Sequence, residues 1–266
     1  LPRGSAILLA VLAVGTAAIA ADRTSSPGEE AIAALRLAQT SGPRCAAKRG
    51  EIAYVGPTDE ALLTCLSAHP KAISVRITSL GGPVVEAMEA ARTIAARNMD
   101  VSVAGFCGSS CGNYIIAAAR RLTVLPDSAI MLHGAPLADA QAQRAQAVAA
   151  LKAAGIPQRN LTDELVTNAV AQLRQQRRLH DRFAMDFRVG SEWYDLTAYY
   201  RALATIPGEG PMLLVSPNFA RECLGHPKIA AFWYPRTERQ RESMQQLLGS
   251  DVMFMGADLP TPASCR

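Results

Sequence analysis

Aromatic side chains are scarce in this chain of 266 residues, with two Trp, six Tyr and six Phe. No stretch interleaves them with basic residues, and a net charge of +4 is too small to mark a polyanion-binding surface. Nothing in the chain therefore points to nucleic acid. The densest basic run, "RQQRRLHDR" at 174–182, has helical spacing and reads as a solvated helix face rather than a membrane or polyanion site. No Cys-x-x-Cys spacing occurs, which removes the repeated-pair pattern of zinc sites and the common dithiol redox motif. There is no internal repeat. After residue 21 no apolar run approaches the ~20 residues that span a bilayer.

What is present suits a globular protein. A hydrophobic share of 49% against 19% charged residues is enough for a sizeable core in one large or two small domains. At the start, Arg3 precedes the uncharged stretch "AILLAVLAVGTAAIAA", and small residues follow with an A-x-A pattern at Ala18 and Ala20. That order predicts a secretory signal peptide over 1–21, with a retained membrane anchor through 6–21 as the alternative. Six cysteines (Cys45, Cys65, Cys107, Cys111, Cys223, Cys265) fit export, since an even count in an oxidising compartment suggests disulfides. Six cysteines allow 15 pairings. Chain proximity suggests Cys45 with Cys65 and Cys223 with Cys265, while Cys107 and Cys111 are either bridged or two buried thiols.

Residues 22–44 read as a linker with one Ala-rich helical piece, and the globular part begins near Cys45. From there the pattern alternates. "EIAYVG", "AISVRITSL", "VSVAGF", "RLTVLP" and "AIMLHG" read as strands. Between them, "TDEALLTCLSAHP" reads as a helix capped by Thr58, "GGPVVEAMEAARTIAARNM" as a turn into a long helix, and "CGNYIIAAARR" as an apolar helix over 111–121. Strands alternating with helices predict an α/β fold with a mostly parallel sheet and helices outside it. The region 139–204 is helical in composition. A strand "PMLLVS", a helix "PNFARECLG", a helix "TERQRESMQQLLG" and a strand "DVMFMG" follow.

Chemistry in such folds sits where strands end. The paired glycines of "TSLGGPV" expose backbone N–H groups. In "GFCGSSCGNYII" a serine stands at the positive end of a helix, where its hydroxyl can meet a ligand and the next N–H can face an oxyanion. In "IMLHGAP" one histidine closes an apolar strand and can accept a serine's proton. Each has an ordinary structural reading as well, as a tight turn, a helix cap or a satisfied polar residue.

Together, "ITSLGGPVVEAMEAARTIAARNMDVSVAGFCGSSCGNYIIAAARRLTVLPDSAIMLHGAP" resembles the core of the Clp protease proteolytic subunit and related ClpP/crotonase-fold serine peptidases. The resemblance runs over roughly 50–232 and is tightest from Ile77 to Pro136. Signal segment and cysteines together point to an exported, periplasmic ClpP-like branch. The resemblance implies Ser110 as nucleophile beside Ser109, His133 as general base, and the N–H groups of Gly82 and Cys111 as the oxyanion hole. It implies peptide or unfolded-protein substrates, no metal or organic cofactor, and self-association through the outer helices. Against the family, 139–204 is a long helical insertion within a domain over 45–266 that ends in a C-terminal extension. Counting from His133 puts the triad aspartate near Asp181, whereas the pattern "LLVSPNFARECLG" puts it near Met212. The acid is then missing, displaced to Asp195 or Glu209, or dispensable. The expected function is an exported serine peptidase; the alternatives are a non-catalytic binding or scaffold protein on the same fold, or acyl-CoA chemistry in the same oxyanion hole.

Overall fold

A computed structural model describes residues 26–132, 135–136, 139–195, 212–248, 252–256 and 265. The expected signal or anchor segment over 1–21, His133 and Glu209 lie outside the described residues. Helix α1 (Pro27–Ser41) is followed by β1 (Arg44–Lys48), β2 (Glu51–Val55), α2 (Glu60–Ala68), β3 (Ser74–Ser79), α3 (Val84–Ala96) and β4 (Asp100–Gly108). Then come a single turn of π-helix (Cys111–Ile115), β5 (Arg121–Val124), β6 (Ala129–Leu132), α4 (Ala140–Ala153) and α5 (Asp163–Phe187). The chain closes with β7 (Met212–Leu214), α6 (Pro217–Cys223), β8 (Lys228–Phe232), α7 (Glu238–Leu248) and β9 (Val252–Phe254).

The described strands form one sheet. β2, β3 and β4 run parallel, β1 adds an antiparallel edge to β2, and β4 branches. Its first half pairs with β5 through Val101–Val103, and its second half with β6 through Phe106–Gly108. Gly105, at φ +79°, sits between the two pairings, and a Cβ there would lie 2.1 Å from the Cβ of Ala31. Only glycine allows both that conformation and the close approach of α1. The bend frees backbone groups, and side chains take them up: Gly105 N–H donates to Ser128 Oγ at 2.8 Å, and Thr78 Oγ1 donates to the Ala104 carbonyl. This is the mixed α/β architecture of the ClpP-like fold that the resemblance implies.

The burial pattern follows from that branching. β2 alternates half-buried and buried residues, as one covered face requires. From Phe106 to Gly108 β4 is wholly buried. Phe106 there packs with Ala31, Leu35, Met131 and Phe254 on the α1 side, while Cys107 joins the main core with Val101, Val103, Ile115 and Leu132. The helical region beyond Asp139 forms a hairpin, with α4 capped by Asp139, α5 capped by Thr162, and Ala147, Val166 and Val170 in the seam. Three disulfides cross-link the chain: Cys45–Cys65, Cys107–Cys111 and Cys223–Cys265. They suit an oxidising compartment. No described helix is long and apolar enough to cross a membrane.

Two readings of the sequence change here. Thr58 does not cap α2; Asp59 does, accepting from Ala61 N–H at 2.9 Å. The apolar helix expected over 111–121 is one π turn followed by tight turns, with Ile116 N–H reaching back five residues to the Cys111 carbonyl.

α5 docks on the π turn through a buried aromatic cluster. His180 lies 2.8 Å from Tyr114 Oη, its ring 5.2 Å from that of Tyr194. Burial, and then the charge of Arg177, push the His180 imidazole down to about 4, with Asp181 opposing. Between its ordinary value near 6.5 and about 4, the unfolded chain binds a proton that the folded chain refuses. Stability is thus full above the unfolded value and is lost as pH falls toward 4, by roughly 3 kcal/mol in all. Melting curves from pH 7 to 5 should show a falling Tm, and His180→Gln, which keeps a polar partner for Tyr114 but does not titrate, should flatten that slope.

Candidate functional site

Two strand-end turns build the site. After β3, Leu80 and the Gly81–Gly82 pair lead through Pro83 into α3, which directs its positively polarised N-terminus to this end of the sheet. Gly81 takes φ +104°, and its N–H donates to Ser79 Oγ at 3.1 Å. A Cβ on Gly81 would fall 2.6 Å from the Cβ of Ser109, so the two turns are in contact. A Cβ on Gly82 would meet Thr58 N at 2.8 Å.

The second turn follows β4. Ser109 adopts φ +53°, a conformation uncommon outside glycine and enriched where local geometry is functional. Its N–H donates to the Met131 carbonyl of β6 at 3.0 Å, and its carbonyl accepts Asn113 N–H at 2.8 Å. The amides of Ser110, Cys111 and Gly112 precede that first bond, at the start of the turn, where a helix offers N–H donors that its own carbonyls do not take up. Gly112 has no room for a side chain, since a Cβ would lie 2.7 Å from the Met131 carbonyl oxygen. The Cys107–Cys111 disulfide, fully buried, closes the loop that carries both serines.

Ser110 joins the two turns. Its side-chain oxygen accepts Gly82 N–H at 2.7 Å, lies 2.9 Å from the Gly82 carbonyl oxygen, and lies 2.7 Å from Thr58 Oγ1. Ser110 is 2% exposed and Thr58 is fully buried. Thus the structure brings together three of the residues singled out in the sequence: Gly82, Ser110 and Cys111. β6, whose last residue Leu132 immediately precedes His133, runs beside the serine turn through Met131. Thr58 is the participant that sequence reasoning missed, and no local signal carries it, because its partner lies 52 residues away.

Of the carboxylates considered as the triad acid, Asp181 and Asp195 share one guanidinium. Arg177 donates to Asp181 Oδ1 at 2.7 Å and to Asp195 Oδ1 at 2.6 Å, and also to the Pro136 carbonyl at 3.2 Å. Within the basic run, Arg177 is therefore turned inward, with its side chain only 16% exposed, rather than being part of a solvated face. Next to Gly81 lies a groove of about 420 Å³, with Leu35 and Ala38 of α1 on one side and Pro57, Asp59 and Leu80 on the other. No cluster of potential metal ligands occurs among the described residues.

No curated protein matches the chain. Among solved structures, AtuE from Pseudomonas aeruginosa is similar at a TM-score of 0.30 and 10% identity, covering 77% of this chain and 76% of that one. A score that low carries no argument. The family model described as Clp protease matches residues 59–182, a span that holds the Gly-Gly turn, the serine turn, β6 and most of α5. Over residues 59–182, somewhat under half of its length, the chain is thus similar to the Clp protease family.

Proposed function

We propose that the protein is an exported serine peptidase in which Ser110 is the nucleophile and His133 the general base. The observation that carries the reading is the 2.7 Å bond from Gly82 N–H to Ser110 Oγ, which joins two turns 28 residues apart at the ends of neighbouring strands. In the reaction, Ser110 Oγ attacks a peptide carbonyl carbon while His133 takes its proton. The carbonyl oxygen becomes an oxyanion held by the N–H groups of Gly82 and Cys111. His133 returns the proton to the leaving amine, and water then hydrolyses the acyl-enzyme. No metal or organic cofactor takes part. The apolar groove beside Gly81 suits a peptide side chain next to the scissile bond. The disulfides support export to the periplasm or beyond, by cleavage of the leader or with 6–21 kept as an anchor. Peptides or unfolded proteins are the substrates, and copies of the chain self-associate through outer helices without an ATP-driven partner.

A second reading has one observation in its favour. Asp181 and Asp195 are both held by Arg177, and a histidine without an orienting carboxylate is a weaker base. On that reading the fold is a non-catalytic binding or scaffold protein. Turnover of an unfolded protein or a peptide ester separates the two. The peptidase reading predicts measurable hydrolysis that His133→Ala lowers by a factor on the order of 10² or more. Absent hydrolysis supports the scaffold, whereas hydrolysis unchanged in His133→Ala removes His133 as the base.

A further inference from the structure

The hydroxyl of Thr58 is left without the capping role its sequence position suggested, and its surroundings assign it another. Thr58 is fully buried, and its N–H donates to the Gly81 carbonyl at 3.0 Å. A buried hydroxyl must place its hydrogen on an acceptor, and the oxygen in reach of Thr58 Oγ1 is Ser110 Oγ at 2.7 Å. A serine oxygen has one hydrogen to give and two lone pairs to receive with. Here the lone pairs take Gly82 N–H and the Thr58 hydroxyl, and the hydrogen goes to the Gly82 carbonyl at 2.9 Å. All three positions are filled.

An oxygen in that state has no lone pair for a carbonyl carbon. Its proton faces a backbone carbonyl, which cannot act as a base. The Gly82 N–H, meant for the oxyanion, is occupied by the nucleophile itself. Attack therefore requires Ser110 to rotate about its Cα–Cβ bond and release these partners. Substrate replaces one of them, since its oxygen takes over Gly82 N–H. Nothing in that exchange replaces the bond from Thr58.

We propose that Thr58 is a positioning residue that latches the Ser110 hydroxyl in this resting rotamer and slows acylation. The proposal rests on the reading of Ser110 as nucleophile. It is tested on the full chain with a fluorophosphonate probe, by measuring the second-order rate of labelling, alongside kcat and KM for a peptide ester. Thr58→Val keeps the shape and removes the hydroxyl, Thr58→Ala removes it with less bulk, and Thr58→Ser restores it. One neutral hydrogen bond corresponds to about a fivefold change in population. Labelling and kcat should rise about fivefold in Thr58→Val and Thr58→Ala, with KM little changed, and return to the wild-type rate in Thr58→Ser. A purely structural role would lower the rate in the first two, never raise it. Rates at or below wild type in whichever of those two variants stays folded overturn the latch. If wild type labels and Ser110→Ala does not, only the latch has failed; if Ser110→Ala still labels, or folded wild type does not label at all, the nucleophile assignment beneath it has failed as well.

Discussion

Ser110→Ala should lower hydrolysis by a factor on the order of 10³ or more while leaving the protein folded. On the proposed mechanism the loss is large because the attacking atom itself is removed, and the proposed oxyanion donors, the N–H groups of Gly82 and Cys111, cannot supply a substitute. The cost in stability is separate and smaller. The Ser110 hydroxyl is the acceptor for Gly82 N–H, in a half-buried bond, and for the Thr58 hydroxyl, which is fully buried. Leaving a buried donor unpaired costs about 1–3 kcal/mol, equivalent to a fall of roughly 2–4 °C in Tm per kcal/mol for a domain of this size. Thermal melting thus distinguishes the two effects: a modest drop in Tm beside a loss of activity by orders of magnitude. A comparable loss in both would mean that Ser110 acts mainly as a structural bolt.

Gly82→Ala is the second large effect, and its cause is steric. A Cβ at this position would stand 2.8 Å from Thr58 N, 3.0 Å from its carbonyl carbon and 3.1 Å from its carbonyl oxygen. These are backbone atoms and cannot swing aside, so the Gly-Gly turn itself must move and carry the Gly82 N–H away from the Ser110 oxygen. Overpacking of this kind costs about 1–3 kcal/mol, and loss of one oxyanion donor costs about 10²–10³ in rate. Steady-state kinetics should show the fall mainly in kcat. Gly155→Ala makes a clean control. Gly155 sits at φ +82° with nothing within 4 Å of a built Cβ, far from the two turns in sequence. It should lose about 1 kcal/mol to backbone strain and keep its activity. Equal kinetics for Gly82→Ala and wild type would remove Gly82 from the oxyanion hole.

Much of the sheet was legible because its strands obey a period of two and end at glycine or proline. The expected strands around Ile52, Val75, Val101, Leu122 and Ile130 all form. β1 was not legible: all five of its residues are exposed, so no alternation marks it, and it exists as an edge against β2. The helix expected after Ser110 is a π turn, with Ile116 N–H on the Cys111 carbonyl, and it is anchored by the Cys107–Cys111 disulfide and by the Ser109 N–H bond to Met131 of β6, neither of which is written in the local composition. Within the site, glycine and serine spacing pointed to the two turns, since tight turns need particular residues. The bonds between the turns did not show. Thr58 looked like a cap because Thr and Asp are both good caps and stand side by side, and only the tertiary contact with Ser110 decides between them. Arg177 looked solvated among its neighbours, whereas Asp195, 18 residues on, and the Pro136 carbonyl, 41 residues back, draw it inward. Contacts of such separation have no periodic signature.

Catalysis through Ser110 requires that its oxygen be the one acylated. Ser109 and Ser110 are adjacent, both lie in the turn, and Ser109 has the unusual backbone, with φ +53°. Labelling the intact protein with a fluorophosphonate and mapping the modified residue by peptide mass spectrometry addresses this directly. The expected result is one phosphonyl group per chain on Ser110, absent from Ser110→Ala. An adduct on Ser109, or no adduct on folded protein, would contradict it.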